Sequence, residues 1–96
     1  MQIVYTYMQI EFDPEKDEIN IAKHGVSLAR AVDLDMLAVK QDERFDYGEM
    51  RFRAWGLIDG LAYCLAFTAR DDRVRAISLR RVHEKEMKRH ASQSDI

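Results

Sequence analysis

The 96-residue chain has few of the residues that would mark a special class of protein: one cysteine, one proline and four glycines. A single cysteine, Cys64, excludes an internal disulfide, and its apolar neighbours predict a small buried side chain. No cluster of Cys and His has zinc-site spacing, so we expect no metal and no cofactor. No apolar run is long enough to span a membrane, and the N-terminus lacks a secretion-signal pattern. We therefore expect a cytoplasmic protein without membrane contact.

The composition and pattern that are present predict one α+β domain over residues 1–96. The chain is 47% hydrophobic and 33% charged, which is typical of a folded domain with a modest core. We expect residues 1–9 to add an N-terminal strand segment, and residues 92–96 to form a polar tail. The predicted order is β-α-α, then an antiparallel β-meander, then a C-terminal helix. The expected strands are 2–12, 36–40, 50–58, 61–69 and 73–80, and the expected helices are 14–24, 28–34 and 83–91.

Local signals fix several of these boundaries. Asp13 is suited to cap the first helix and Pro14 to occupy its first turn, while Gly25 is suited to end it. Ser27 is expected to cap the second helix. Asp59-Gly60 is a strong signal for a two-residue hairpin turn.

Charge is divided unevenly along the chain, although the net charge is only −2. Residues 1–50 carry a balance of −6, and residues 51–91 carry +5. The near-neutral total argues against broad nonspecific DNA binding, whereas the division favours a localised basic surface with an acidic flank. Two solvated faces of opposite sign would produce the same pattern.

The basic half places arginines in or beside predicted strands, where a guanidinium group is costly unless an anion meets it. They are Arg51, Arg53, Arg70, Arg75, Arg80 and Arg81. Alternation along a strand puts Arg51, Arg53 and Trp55 on one face, with Trp55 more typical of a core residue than of a base-stacking platform.

The same alternation groups Arg80 with Ser78 and puts Arg73 and Arg75 on the opposite face. The hairpin register is not determined by sequence, so which arginines converge stays open. For any single arginine a surface carboxylate partner is the better explanation, but for the group we expect at least one or two to have a functional role.

Other polar residues have both a structural and a functional interpretation. His24 either stabilises a helix end or has a functional role, as a phosphate binder or as a proton donor near neutral pH. Glu49 is either an ion-pair partner of Arg51 or a general base. His83 and His90 are expected to be exposed helix residues.

A set of motifs over roughly residues 10–90 resembles the BrnT-type toxins of bacterial type II toxin–antitoxin modules. These motifs are Phe12-Asp13-Pro14, Asn20, Lys23-His24-Gly25-Val26, Gly48-Glu49-Met50-Arg51, Gly56, Thr68-Ala69-Arg70, Arg75-Ala76-Ile77-Ser78-Leu79-Arg80-Arg81 and Glu86. The sequence departs from the family pattern at His90, where a tyrosine is common, at Leu61, at Leu34 and in the longer N-terminus.

The resemblance implies a small RelE/ParE-like fold and a metal-independent endoribonuclease that arrests growth. It also implies a ribbon-helix-helix antitoxin that masks the toxin, and operator DNA bound only through their complex. A decayed or non-catalytic binding module, with an arginine face for an acidic partner or nucleic acid, is the alternative. A gyrase-directed toxin is a second, because one fold can carry several activities.

Cleavage by attack of the RNA 2′-hydroxyl requires a base, positive charge at the phosphate and a proton for the leaving oxygen. For these roles we expect Arg80 and Arg51 to stabilise the transition state and Glu49 to act as base. His24 is expected to move a proton or bind phosphate together with Lys23. Arg70, Arg75 and Arg81 are expected to hold the RNA backbone.

Overall fold

A five-stranded sheet with helices on both faces forms the fold in the computed structural model, which describes residues 9–70 and 73–92. The elements are β1 (Gln9–Glu11), α1 (Pro14–His24), a 3₁₀ helix (Leu28–Asp33), β2 (Asp35–Gln41), β3 (Phe52–Ile58), β4 (Leu61–Arg70), β5 (Arg73–Arg81) and α2 (Glu84–Ala91). The strand order is β1-β5-β4-β3-β2; β1 runs parallel to β5 and every other pair is antiparallel. This confirms the predicted α+β order.

Strand ends differ by one or two residues from expectation, with one consequence for the site. β3 begins at Phe52 rather than at residue 50, so Arg51 precedes the strand. The N-terminal residues 1–8, the expected turn at Asp71-Asp72 and tail residues 93–96 lie outside the described residues. Among the described residues, none of the helices has the length and apolar character needed to cross a membrane.

The caps of α1 are those expected from sequence. The Asp13 carboxylate accepts a hydrogen bond from the Glu15 backbone N–H at 2.9 Å, and Pro14 opens the helix. Gly25 adopts a left-handed φ of 73° and donates its N–H to the Ile21 carbonyl at 2.8 Å. The hairpin turn is also confirmed, because Asp59 and Gly60 have φ values of 52° and 77°.

The segment expected to be a second α-helix is instead a 3₁₀ helix. Side chains three residues apart align in this tighter geometry. Leu28, Ala31 and Leu34 therefore form one buried line, whereas Val32 is 70% exposed. Ser27 caps this helix as predicted, accepting from the Ala29 N–H at 3.1 Å.

Each face of the sheet carries one apolar cluster, and helices pack against both faces. α1 and the 3₁₀ helix cover one face, over a cluster that includes Leu65, Val74, Ala76 and Leu79. α2 covers part of the other face, over Ala38, Trp55, Ala62, Cys64, Val82 and Met87. We call this second side the α2 face. Its uncovered part carries the cationic side chains described below.

A β-bulge at Ile77 changes the direction of side chains within β5. Ser78 pairs with Ala66 and Ala76 pairs with Phe67, so Ile77 is an additional residue in the ladder. The bulge explains why Val74, Ala76 and Leu79 all reach the same cluster despite their spacing. The prediction that Arg73 and Arg75 lie opposite Arg80 is therefore wrong: all three lie on the α2 face.

Candidate functional site

The arginines of the α2 face lie in successive rows across the sheet. Backbone pairing aligns Trp55, Cys64 and Arg80 in a first row, and Arg53, Ala66 and Ser78 in a second. A third row contains Thr68, Arg75 and Glu11. Neighbouring rows are two residues apart, or about 7 Å along the strands. The sheet thus presents Arg80, Arg53 and Arg75 at regular intervals.

Glu86 on α2 holds Arg80 and Trp55 together. Its Oε2 accepts a hydrogen bond from the Trp55 indole Nε1 at 3.0 Å and another from the Arg80 Nη2 at 3.1 Å. Burial alone would raise the pKa of Glu86, but these two hydrogen bonds, together with the charges of Arg80 and His90, outweigh it and keep the pKa below its usual value. The carboxylate is therefore charged at neutral pH and fixes the Arg80 guanidinium.

The His90 ring stacks on Trp55, with 3.9 Å between centroids and 13° between planes. Trp55 is fully buried, as expected of a core residue, and the Arg53 guanidinium carbon lies 5.0 Å from its ring centroid. The prediction that His90 is an exposed helix residue is wrong, because this stack half-buries it. His83, by contrast, is exposed at the N-cap of α2.

Burial lowers the pKa of His90, and the positive charges of Lys40, Arg53 and Arg89 lower it further against the opposing effect of Glu86. Its imidazole is therefore mainly neutral at pH 7. The buried Nδ1 of His90 and Nε of Arg53 have no hydrogen-bond partner among the described residues. An unpartnered Nδ1 disfavours a protonated ring, since both nitrogens of that form carry hydrogen.

His24 approaches Arg80 from the end of α1. Burial lowers the pKa of His24, and the charges of Lys23 and Arg80 lower it further. Asn20, on the same helix, is hydrogen-bonded to β5: its Oδ1 accepts from the Leu79 N–H at 3.1 Å. The Asn20 amide also donates to the carbonyls of Leu79 and Val26, at 2.9 Å each. This side chain ties α1 to β5 beside Arg80.

An open cavity of about 380 Å³ lies where β5 leads into α2. Its lining residues are Arg80, Arg81, Val82, His83 and Glu86. The Arg80 side chain is 38% exposed there. Arg81, expected to hold RNA, lines the same cavity.

Arg51 and Glu49 lie at a different part of the molecule. They form an ion pair of 3.4 Å, and the Arg51 guanidinium carbon is 4.1 Å from the Tyr47 ring centroid. Phe52, the residue after Arg51, pairs with Phe67 on β4. Phe67 is three residues, or about 10 Å, along β4 from Cys64, which pairs with Arg80. The structure therefore does not bring the Arg51–Glu49 pair to Arg80.

The loop that carries this pair is held by Asp42. Arg44 donates to both carboxylate oxygens at 2.8 Å, and the Tyr47 hydroxyl donates at 3.0 Å. The Arg44 hydrogen bond holds the pKa of Asp42 well below its usual range, although burial opposes it.

Two further residues expected to bind RNA lie elsewhere. Lys23 is exposed in the last turn of α1, and Arg70 ends β4 with its side chain outside the described part of the chain.

Sequence reasoning missed the assembly of Glu86, His90 and Arg53 around Trp55. Two signals were available: Arg53 and Trp55 share strand parity, and Glu86 and His90 are four residues apart on one helix. What sequence could not supply was the position at which α2 crosses the sheet. Within residues 9–70 and 73–92, no group of three or more His, Cys, Asp or Glu side chains is placed to hold a metal ion.

A small α+β domain with a basic sheet face and a half-exposed arginine fixed by a carboxylate is suited to binding a polyanion. The model of the family described as "Ribonuclease toxin, BrnT, of type II toxin-antitoxin system" matches residues 12–86. The chain belongs to this family, which confirms the resemblance identified from its sequence motifs.

A solved structure agrees with this assignment. The chain is similar to the Brucella abortus ribonuclease toxin BrnT, known from a 1.1 Å crystal structure, with 28% sequence identity and a TM-score of 0.60. The match covers 79% of this chain and 97% of the Brucella chain. No match was found among curated proteins.

Proposed function

We propose that this protein is a metal-independent endoribonuclease that arrests growth by cutting RNA through attack of a 2′-hydroxyl on the adjacent phosphate. The observation that carries the proposal is Arg80: it is held by Glu86 at 3.1 Å, yet remains 38% exposed in the cavity between β5 and α2. Membership of a ribonuclease toxin family supports the choice of RNA as substrate.

Arg80 is suited to the charge that develops during this reaction. The O2′–P bond forms as the P–O5′ bond breaks, and negative charge collects on the nonbridging phosphate oxygens. A guanidinium group has five N–H donors and stays charged at all relevant pH values, so the donors that Glu86 leaves free can contact those oxygens. The proposal needs no metal because Arg80 itself provides the positive charge.

The proton transfers need two further groups. The 2′-hydroxyl proton goes to a base, and the leaving 5′-oxygen takes up a proton. His24 is the candidate for moving these protons, because it lies near enough to Arg80 for their charges to interact. Its lowered pKa leaves the ring mainly neutral at pH 7, the form that can take up the 2′-hydroxyl proton, while water supplies the proton to the leaving 5′-oxygen. Glu49 and Arg51 lie too far from Arg80 to act as base and transition-state stabiliser at the same phosphate, so we assign Arg51 to a more distant phosphate of the same strand.

The other basic residues supply a path for the RNA backbone. On the α2 face, Arg53 on β3 and Arg75 on β5 lie in the rows that follow Arg80, and Arg81 lines the cavity. Lys23 lies in the last turn of α1. Arg70 remains a proposed backbone contact at the end of β4. Since phosphate contacts position RNA without reading its sequence, this path predicts binding strength rather than specificity.

The antitoxin is also part of the proposal. A type II toxin implies a protein antitoxin, and we assign it to the ribbon-helix-helix class, with operator DNA bound by the complex. Coexpression with the neighbouring gene tests this assignment through copurification and operator binding. Free toxin that binds the operator by itself would contradict it.

The function is tested by incubating the purified protein with RNA in EDTA and comparing it with Arg80→Ala. We expect the wild type to leave 2′,3′-cyclic phosphate and 5′-hydroxyl ends, and the variant to be slower by about 10²- to 10³-fold. Arg30→Ala is the matched control, because Arg30 pairs with Asp33 and Asp59 at 2.8 and 2.9 Å, away from this face. Intact RNA with wild-type protein, while expression still arrests growth, would indicate another target such as gyrase.

A further inference from the structure

The stack of His90 on Trp55 has a consequence for how RNA is held. The imidazole lies nearly parallel to the buried indole, with 13° between the planes. Trp55 covers one side of the ring, and His90 is only half-buried, so its exposed area lies away from the indole. The indole therefore supports a second flat ring, and the residue that carries this ring keeps contact with solvent.

We propose that the outer face of His90 is a stacking platform for one nucleobase of the RNA, so that base, His90 and Trp55 form a three-ring stack. This inference rests on the proposed function. It places the base of the nucleotide next to the reacting phosphate on the His90 ring. Aromatic side chains stack on bases of any identity, because every base has a π face. The platform therefore adds affinity and fixes the position of the strand.

The position of His90 relative to Arg80 suits a single nucleotide. Glu86, which holds Arg80, and His90 are four residues apart on α2, so their side chains are neighbours about 6 Å apart. A phosphate at Arg80 can thus carry its base to the His90 ring. Arg53, with its guanidinium carbon 5.0 Å from the Trp55 ring centroid, is placed for the phosphate of a neighbouring nucleotide.

The electrostatic setting of His90 favours stacking over proton transfer. Its pKa is lowered by burial and by Lys40, Arg53 and Arg89, with Glu86 opposing, so the ring is mainly neutral at pH 7. Its Nδ1 is buried without a hydrogen-bond partner in the described structure, which leaves the proton best placed on Nε2. A neutral ring that carries its proton on Nε2 has its free lone pair on the buried Nδ1, so it is a poor base. Its flat face is still suited to stacking.

The first test compares two replacements of His90 that differ in shape. The ligand is an oligonucleotide that cannot be cleaved because it carries a 2′-deoxy residue at the reacting position. We expect His90→Leu to weaken binding by roughly ten- to hundredfold, and His90→Phe to stay within about threefold of wild type. Lys88→Gln, on the exposed side of α2, is the control and should bind as wild type. Equal losses for the Leu and Phe variants would overturn the proposal, because they would show that a ring nitrogen is needed.

The second test changes the ligand and leaves the protein intact. Removing the base from the nucleotide at the platform should weaken wild-type binding by the same factor as His90→Leu, and should have no further effect on that variant. Additive losses would overturn the proposal. Trp55 is the single tryptophan of the chain, so its fluorescence reports directly on this stack. We expect the oligonucleotide to change that fluorescence and the abasic version to leave it nearly unchanged.

These outcomes separate the inference from the function on which it rests. A protein that binds the oligonucleotide through His90 but cuts no RNA would contradict the proposed ribonuclease activity alone. Cleavage of RNA by the His90→Leu variant at the wild-type rate would contradict the platform alone. Failure to bind any oligonucleotide would contradict the platform.

Discussion

Trp55 and Glu86 are joined by a hydrogen bond of 3.0 Å between the indole Nε1 and the carboxylate Oε2. This contact links the buried centre of the sheet to α2, and the same oxygen accepts from Arg80. The buried Trp55 therefore determines, through Glu86, the position of the Arg80 guanidinium group. Because the carboxylate contacts no substrate in the proposed mechanism, Glu86 is a positioning residue.

Replacing Glu86 with Gln should slow RNA cleavage and lower stability by about 1–2 kcal/mol, since hydrogen bonds to a charged group are lost. Urea unfolding and cleavage rates measure the two effects. Because the folded-state pKa of Glu86 is depressed, its contribution is present above the unfolded pKa and is lost as pH falls through the folded value. The stability difference should therefore shrink below about pH 4. Glu84→Gln, in the exposed first turn of α2, is the control, and a difference that grows at low pH would contradict this sign.

Replacing Asn20 with Ala should destabilise the fold by about 2–3 kcal/mol, because it leaves the backbone groups of Leu79 without their partner. Denaturant unfolding measures this loss, with Glu18→Ala on the exposed side of α1 as the control. A loss equal to that of the control would show that Asn20 does not hold β5.

Replacing Arg75 with Gln should weaken binding of single-stranded nucleic acid and reduce its dependence on salt. If Arg75 contacts one phosphate, the slope of log K against log salt should decrease by about 0.7. Fluorescence anisotropy with an uncleavable oligonucleotide over a range of salt concentrations measures the slope. Arg30→Gln should leave it unchanged, and an unchanged slope for Arg75→Gln would mean that the RNA does not reach the third row.

Replacing Gly56 with Ala should cost about 3 kcal/mol or more, because an added Cβ would overlap the Asp35 carbonyl on β2. At Gly60, where φ is 77° and nothing lies within 4 Å, the same substitution should produce only the milder effect of backbone strain. Thermal or urea unfolding compares the two variants. Similar losses would contradict the close approach of β2 at Gly56.

Features governed by neighbouring residues were predictable from sequence. The caps at Asp13 and Gly25 and the hairpin at Asp59-Gly60 depend on local backbone geometry, and all three are confirmed. The family motifs were also recognisable, because their order and spacing are fixed along the chain.

Features that depend on distant pairing were not predictable. The bulge at Ile77 is set by which residues of β4 face β5, and it moves Arg75 to the face of Arg80. The half-burial of His90 depends on where α2 meets Trp55, which no local pattern encodes. The 3₁₀ helix was missed because spacing of apolar residues does not separate it from a short α-helix.

If this protein cuts RNA through the 2′-hydroxyl without a metal, cleavage must require that hydroxyl and must persist in EDTA. Two oligonucleotides that differ only by a 2′-deoxy substitution at the cleavage position are incubated with purified protein in EDTA. The proposed mechanism predicts that the all-ribose strand is cut to a 2′,3′-cyclic phosphate and a 5′-hydroxyl end, and that the substituted strand stays intact. Cleavage of the substituted strand, or cleavage only when a divalent metal is restored, would contradict it.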